Sequence, residues 1–411
     1  MSPVAELRGE MRGNNLDHVR RRNLSLLLGR VHALGAVSRA QLTKETGLNR
    51  STIAALSAEL VQLGLVVETE PDQTNQVGRP SPVIVPNDTN VAITVNPEID
   101  AVSIGLVGLG GRVIRQVRYD TTRVPSAREV VNITAAVIDG MRGELESQYR
   151  TVGIGLAIPG LVRADDGMVT LAPHLDWHDE PIGEMLREAT GYPVVAGNDA
   201  SLGAIAERVR GVGAGVGDLV YLNGGASGIG GGVVAGGVLL GGTSGYAGEI
   251  GHTLVNSAGV LCHCGAVGCL ETEVSRAPLL AAVGLDSAEP ERLEPLLLER
   301  YAARDTAVVD LVDTQVGFLG RALANTVNAF NPQLIILGGF LGTLFAADPS
   351  RLTTAVHDLA LVGPRDDVQI VRASLGSAIL TVGAAELAFA PLIADPAGSG
   401  GQEAAPLSAS L

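Results

Sequence analysis

Gly248-Glu249-Ile250-Gly251-His252 and, ten residues after that histidine, Cys262-His263-Cys264-Gly265-Ala266-Val267-Gly268-Cys269-Leu270-Glu271 decide how this chain is read. All three cysteines of the 411 residues stand within eight positions. Zinc takes four tetrahedral ligands from thiolates and imidazoles, and three cysteines with one histidine form a closed set that leaves no position for a reacting water. The pattern predicts a structural zinc site made by His252, Cys262, Cys264 and Cys269. A disulfide framework or buried free thiols are the plainer readings; the odd cysteine count, the tight clustering and the lack of a secretory leader argue against disulfides. His263 is the rival imidazole. A cysteine flanks it on each side, which hinders its ring from reaching the same ion, so His252 is preferred.

Length allows two or three domains, and 46% hydrophobic residues suffice for packed cores. The opening Met1 to Asn15 is polar and has no apolar signal-peptide core, so the cytoplasm is the expected compartment. Leu219 to Gly248 carries no charge, but its glycine clusters suggest strands and tight turns instead of a membrane span. Charge is uneven. Residues 1–85 hold ten basic against eight acidic side chains, a net of +2 that leaves −17 of the total −15 for the rest. An acidic body is repelled by nucleic acid, whereas a basic head is steered to phosphates.

Within that head, Leu24, Leu27, Leu28, Val31 and Leu34 recur at helical spacing. Ser38 with Gln41 forms a capping box for a second helix that Gly47 ends, and Asn49 caps a third with Ile53, Leu56, Leu60 and Leu63 inward and Gly64 at its end. Leu65-Val66-Val67 begins a strand, and a strand pair around Gly78-Arg79-Pro80 supplies a wing. Helix, short turn, helix and wing make a winged helix-turn-helix, residues 1–85. The third helix turns Ser51, Ala54, Ala55 and Ala58 outward. Arg50, Ser51 and Thr52 are the expected contacts to bases or phosphates in the major groove, and Arg79 to a narrow minor groove. A helical bundle that binds protein is the alternative.

Pro82 to Asn90 reads as a linker. Beyond it strands and helices alternate, with a meander at 91–94, 101–107 and 111–119, a helix at 128–149, strands at 152–157, 193–196, 219–222 and 229–234, a helix at 312–328 and a strand at 334–337. This is an α/β pattern of two lobes. Residues 395–411 read as a disordered tail.

The two strings quoted first, with Ile158-Pro159-Gly160 and Asn198-Asp199-Ala200, resemble the ROK family of repressors, open reading frames and sugar kinases, over nearly the whole chain. The resemblance implies an actin-like, hexokinase-like fold for residues 88–394 with a sugar in the cleft between lobes. It also implies Gly160, Asn198, Asp199, Glu249, His252 and Glu271 as sugar contacts, and Asp199 as the position of the kinases' catalytic base. Carboxylates, an amide and an imidazole suit the paired hydroxyls of a pyranose. His252 would serve metal and sugar with its two ring nitrogens.

The family's kinases place Asp-x-Gly-Gly-Thr between the first two strands. The stretch here is Val95-Asn96-Pro97-Glu98-Ile99-Asp100: the aspartate is Asn96, both glycines are gone and a proline has entered. Backbone N–H groups can no longer wrap a phosphate there. The runs Ser227-Gly228-Ile229-Gly230-Gly231-Gly232 and Gly338-Gly339 survive, and tight turns alone could account for them. The expected protein is a sugar-responsive DNA-binding transcriptional regulator of carbohydrate genes, a repressor as the first reading, with Asp199 a vestigial base. Its expected cofactor is structural zinc. Operator DNA and a sugar or sugar phosphate are the expected partners of a homodimer or homotetramer, with no membrane, and lobe closure on the sugar would shift the heads. The alternatives are an ATP-dependent, glucokinase-like enzyme with a DNA-binding head, and a regulator moved by a protein partner.

Overall fold

A computed structural model of the chain describes residues 3–70, 81–286 and 289–398. Its backbone divides into two compact units. One holds the chain up to Leu156, Pro181–Val195 and the residues from Ala384 on; the other holds Ala157–Glu180 and Ala196–Gly383.

The first unit begins with α1 (Pro3–Leu34), β1 (Val37–Ser38), α2 (Arg39–Thr46), α3 (Arg50–Gln62), β2 (Val66–Thr69) and β3 (Val83–Pro86). Leu24, Leu27, Leu28 and Val31 are fully buried, as their spacing predicts. Leu34 is exposed, because α1 ends there and Gly35 turns the chain away at φ +73°. Ser38 caps α2 by accepting from the Gln41 N–H at 3.1 Å. The reciprocal half of the expected capping box is not made, since the Gln41 amide donates to Glu45 at 2.9 Å. Asn49 caps α3 by accepting from the Thr52 N–H at 2.8 Å. Gly64, at φ +71°, ends that helix region and lets the Leu65 N–H reach the Leu60 carbonyl at 3.0 Å, the long bond of a Schellman-type terminus.

The linker reading of Pro82–Asn90 is corrected. Val83–Pro86 is the middle strand of the head's sheet, antiparallel to both β1 and β2. Side-chain amides of Asn87 and Asn90 both donate to the Gly64 carbonyl at 2.8 Å, tying the chain that follows to the end of α3. Gly78, Arg79 and Pro80, the expected wing tip, lie outside the described residues, as does the tail from residue 399 on.

Next come β4 (Asn90–Pro97), β5 (Ala101–Gly108) and β6 (Val113–Asp120), the expected meander, then α4 (Ala127–Gln148) behind a complete Ser126–Glu129 capping box, and β7 (Arg150–Ile158). A small sheet of β8 (Leu161–Val162), β9 (Val169–Ala172) and β10 (Trp177–Glu180) precedes α5 (Ile182–Thr190), β11 (Val194–Asn198) and α6 (Asp199–Arg210). The second unit's main sheet is built from β12 (Leu219–Gly224), β13 (Ile229–Ala235), β14 (Val238–Leu239), β15 (Leu334–Gly338) and β16 (Gln369–Arg372). Strand orders are β11-β7-β4-β5-β6 and β14-β13-β12-β15-β16. Each is a meander whose first strand takes a parallel neighbour, β7 on β4 and β15 on β12, so one topology is used twice. That duplication is the actin-like, hexokinase-like α/β architecture.

Behind the second sheet, the helix Thr306–Phe330 buries Val308, Val312, Val316, Leu319, Leu323 and Val327, steps of four or three that keep one face inward. The uncharged run 219–248 supplies β12 to β14. The segment Gly376–Ala394 is long and apolar enough to cross a membrane by length and composition, with mean hydropathy 1.7. Here it is a core element. Its residues Ala385, Ala388, Phe389 and Ile393 share one apolar cluster with Leu24, Leu27, Leu28 and Val31 of α1 and with Ala92 and Val107 of the meander.

Close backbone packing in that unit is testable at Gly155, where an added Cβ would lie 1.9 Å from the Ala384 carbonyl oxygen. Neither partner is a flexible side chain. Gly155→Ala is expected to cost about 3 kcal/mol, read as a lowered denaturation midpoint; an unchanged midpoint rules this contact out.

Candidate functional site

Gly160 follows β7 at a turn where any Cβ would sit 2.4 Å from the Leu171 carbonyl, so glycine is required. Its own carbonyl accepts from the Asn198 side-chain amide at 3.0 Å, and the other half of that amide caps α6 by accepting from the Ser201 N–H at 3.0 Å. Asp199, the first residue of α6, accepts from the Ala200 N–H at 2.7 Å. Burial nonetheless wins: it pushes the carboxyl up to about 6, against the pull of that N–H, with neighbouring Glu249 adding to the rise. Glu249 is itself held above the ordinary carboxylate range, by burial first, with His252 opposing and Glu271 adding.

Glycines position the segment that carries Glu249 and His252. A Cβ on Gly251 would lie 1.9 Å from the Ile229 carbonyl, and Gly248, at φ +102°, approaches the Gly231 backbone. The short 3-10 turn Ile250–His252 thus lies directly on β13. His252 Nε2 faces Glu249 Oε2 at 4.0 Å and Nδ1 faces Glu271 Oε1 at 3.5 Å. All six residues implied as sugar contacts therefore stand in one chain of neighbours within the second unit.

Beside them, His252, Cys262, Cys264 and Cys269 bring one donor atom each to within 4.8 Å of all the others. Cys264 Sγ and Cys269 Sγ are 3.6 Å apart, too far for a disulfide, and Cys262 Sγ lies 3.6 Å from His252 Nδ1. A tetrahedron with metal–sulfur bonds of about 2.3 Å and metal–nitrogen bonds of about 2.0 Å has its corners roughly 3.5 to 3.8 Å apart. The two pairs at 3.6 Å match that size, and the other separations stay within 4.8 Å. His263 stays at the edge of the four: its Nδ1 is 3.9 Å from Cys262 Sγ but nearer Glu271, at 3.1 Å, and nearly half of its side chain is exposed. The knuckle is closed by the Cys262 N–H donating to the Ala266 carbonyl at 2.7 Å and by Gly268, whose Cβ would overlap the Asn256 carbonyl at 1.6 Å.

In the first unit, Arg50 and Ser51 are exposed at the start of α3 and Thr52 is half-buried. The Ser51 hydroxyl donates to Asn49 at 2.8 Å. Arg79 lies outside the described residues.

The family description that matches this sequence, over residues 82–390, is the ROK family. The chain belongs to the ROK family. It is similar to the xylose repressor of Caldicellulosiruptor bescii, 26% identical over 383 residues covering 88% of this chain and 93% of the relative. Among solved structures, a ROK family transcriptional regulator, a homologue of the E. coli MLC protein, aligns with TM-score 0.73 and 26% identity over 92% of this chain and 98% of that one. A ROK family glucokinase from Streptomyces griseus, in complex with glucose and AMPPNP, aligns with TM-score 0.60 and 27% identity over 72% of this chain and 99% of its own.

In the stretch Val95–Asp100, Asn96 and Pro97 continue β4 in register opposite Ser103 and Val102. Glu98 accepts from Ser103 Oγ at 2.8 Å, and the Arg118 guanidinium bonds Glu98 at 2.8 Å, Asp100 at 3.1 Å and Asp120 at 2.9 Å. The surviving glycines have packing reasons. Cβ atoms on Gly230 and Gly232 would meet Ala200 and Ala204 of α6 at 2.7 Å, and one on Gly339 would lie 2.0 Å from the Gly224 carbonyl.

Two neighbours escaped the sequence reading. His174, on the turn Pro173–Leu175, has its ring 6.1 Å from that of His263, and burial, then His263, lowers its pKa. Nothing in Ala172-Pro173-His174-Leu175 marks it. Arg20 of α1 donates to Glu59 of α3 and, with Asn23, Ser51, Thr52 and Ala55, lines a surface recess of about 360 Å³. The run Arg20-Arg21-Arg22 was its available signal.

The pKa of Asp199, ordinarily 3.8, is raised in the folded state, so its contribution to stability is full below about 4 and is lost as pH rises through about 6. Asp199→Asn is expected to melt higher than the wild type at pH 7 to 8, by the equivalent of roughly 2–3 kcal/mol, and to lose that advantage near pH 4. Parallel melting curves across this pH range would exclude a strained Asp199.

Proposed function

We propose that this chain is a sugar-responsive, DNA-binding transcriptional regulator, a repressor of carbohydrate genes working in the cytoplasm as a homodimer or homotetramer. The observation that carries the reading is a helix-turn-helix with a three-stranded sheet, built on a ROK body. Similarity to a xylose repressor over most of both chains supports it. On this reading residues 1–85 are the DNA-binding head, with Arg50, Ser51, Thr52 and Arg79 as contacts, and residues 88–394 hold the effector. Gly160, Asn198, Asp199, Glu249, His252 and Glu271 receive the sugar, whose hydroxyls exchange hydrogen bonds with two raised carboxyls and an amide.

Loss of phosphoryl transfer is part of the proposal. Pro97 offers no N–H, and a loop in which one guanidinium answers three carboxylates repels a triphosphate. The packing of Gly230, Gly232 and Gly339 gives those glycines a reason to persist without a nucleotide. An ATP-dependent sugar kinase carrying a DNA-binding head is the second reading, favoured by Asp199, whose carboxyl near 6 suits a general base. ATP turnover with D-glucose or D-xylose would establish it.

The four-donor cluster is assigned to zinc, held by His252, Cys262, Cys264 and Cys269. When bound, the metal fixes the knuckle's shape and fills its coordination, so it supplies structure. Cys264→Ser is expected to lose the metal and melt far lower, since such sites contribute on the order of 10 kcal/mol; full zinc content with unchanged melting would refute the assignment.

The test of the function is fluorescence anisotropy on labelled DNA from upstream of the protein's own gene, at fixed salt, with and without sugars and sugar phosphates. Specific binding that one compound shifts is the expected result; DNA binding that no compound moves favours a protein-controlled regulator. Arg50→Ala should weaken that binding roughly tenfold while leaving the sugar-induced melting shift intact, and an unchanged titration would remove Arg50 from the interface.

A further inference from the structure

His32 of α1 and Glu386 of the C-terminal helix Ile379–Ala394 are 2% and 5% exposed, inside the apolar core of the first unit. His32 Nε2 and Glu386 Oε2 are 2.7 Å apart, and the Gly110 N–H, from the turn between β5 and β6, donates to Nδ1 at 3.0 Å. Because Nδ1 accepts, the neutral ring carries its proton on Nε2 and donates it to the carboxylate. Three elements are joined by one imidazole. Apolar side chains of similar volume often stabilise such a place as well or better, so the stabilising value of a polar pair here is small beside the fixed geometry it imposes.

The same C-terminal helix is held at its beginning by the helix that carries Asp199. Gly383 packs so closely on α6 that a Cβ would sit 2.4 Å from the Leu202 carbonyl. Just before the helix, the Ser374 and Leu375 N–H groups donate to Glu207 of α6 at 2.7 and 3.0 Å, and Glu207 is fully buried. Further along, Gly29 of α1 approaches Ile393, and the rings of His32 and Phe389 lie 5.5 Å apart.

We infer that the C-terminal helix transmits occupancy of the sugar site on α6 to the DNA-binding head, with His32 and Glu386 as the positioning residues at its contact with α1. The inference rests on the sensor reading above. Neither residue touches sugar or DNA; they act by holding the head in one of two orientations, and coupling energy is what their removal should abolish.

The experiment uses the full-length protein and its upstream DNA, titrated with and without D-xylose and D-glucose first and then other aldoses and their phosphates. Compared are the wild type, Glu386→Gln, which still accepts from Nε2, and the double variant His32→Leu with Glu386→Leu. Expected are a sugar-dependent change in DNA affinity of at least about fivefold in the wild type and Glu386→Gln, and less than about twofold in the double variant, locked high or low. The double variant should keep its sugar-induced melting shift. Coupling retained in the double variant, or lost equally in Glu386→Gln, overturns the inference alone. A wild type whose DNA binding responds to no sugar overturns the sensor reading and the inference with it. Should the double variant not fold, hydrogen exchange of the wild type decides: sugar should change protection in α1 and the C-terminal helix, and no change there while DNA affinity shifts overturns the inference.

Discussion

His252 faces two groups of opposite demand across one ring. Nδ1 looks toward the Cys262 sulfur at 3.6 Å, while Nε2 looks toward the Glu249 carboxyl at 4.0 Å. A metal at the cysteine side requires an unprotonated Nδ1, which leaves the ring's proton on Nε2 as a donor aimed at the carboxylate side. The knuckle and the polar site are thereby the same piece of structure. Asp199, Glu249 and Glu271 are neighbours in a half-buried place, and the raised carboxyls of Asp199 and Glu249 record that burial first and the neighbouring carboxylates second.

Backbone proximity is what holds this ring where it is. Gly248 and Gly251 are glycines because β13 runs directly beneath them, and β13 is glycine-rich because α6 lies against its other side. Asp199 opens α6. The distance between the helix that carries Asp199 and the turn that carries Glu249 is therefore set by backbone and alanine methyls, with no rotatable side chain in between, and rotamer changes cannot absorb an error there. Gly230, Gly232 and Gly339 each have a sufficient explanation in packing.

Much of this was legible in sequence because it is local. The cysteine spacing, the Asn49 cap and Gly47 announce themselves within a few residues. Each signal is a side chain answering its own backbone. The middle strand Val83–Pro86 escapes a sequence reading because three residues between two prolines carry too short an alternation to mark a strand, and its paired residues are 14 to 47 positions away in the chain. The Arg118 hub, the Arg20 to Glu59 pair and the His32 to Glu386 pair are likewise invisible to local reading, since each joins residues that only the fold brings together.

The placement of α1 constrains how any effector can act on the head. Phe389 and Ile393 are buried in one cluster with the leucines of α1. Exposing two such side chains costs about 3–6 kcal/mol, before the Glu386 carboxylate is counted. Effector coupling between two sites is typically about 1–3 kcal/mol. A ligand with that much differential affinity cannot detach the head from its unit. It can bias small rearrangements that keep the core closed, and a buried hydrogen bond of fixed geometry, unlike an apolar contact, discriminates between arrangements that differ by less than an ångström.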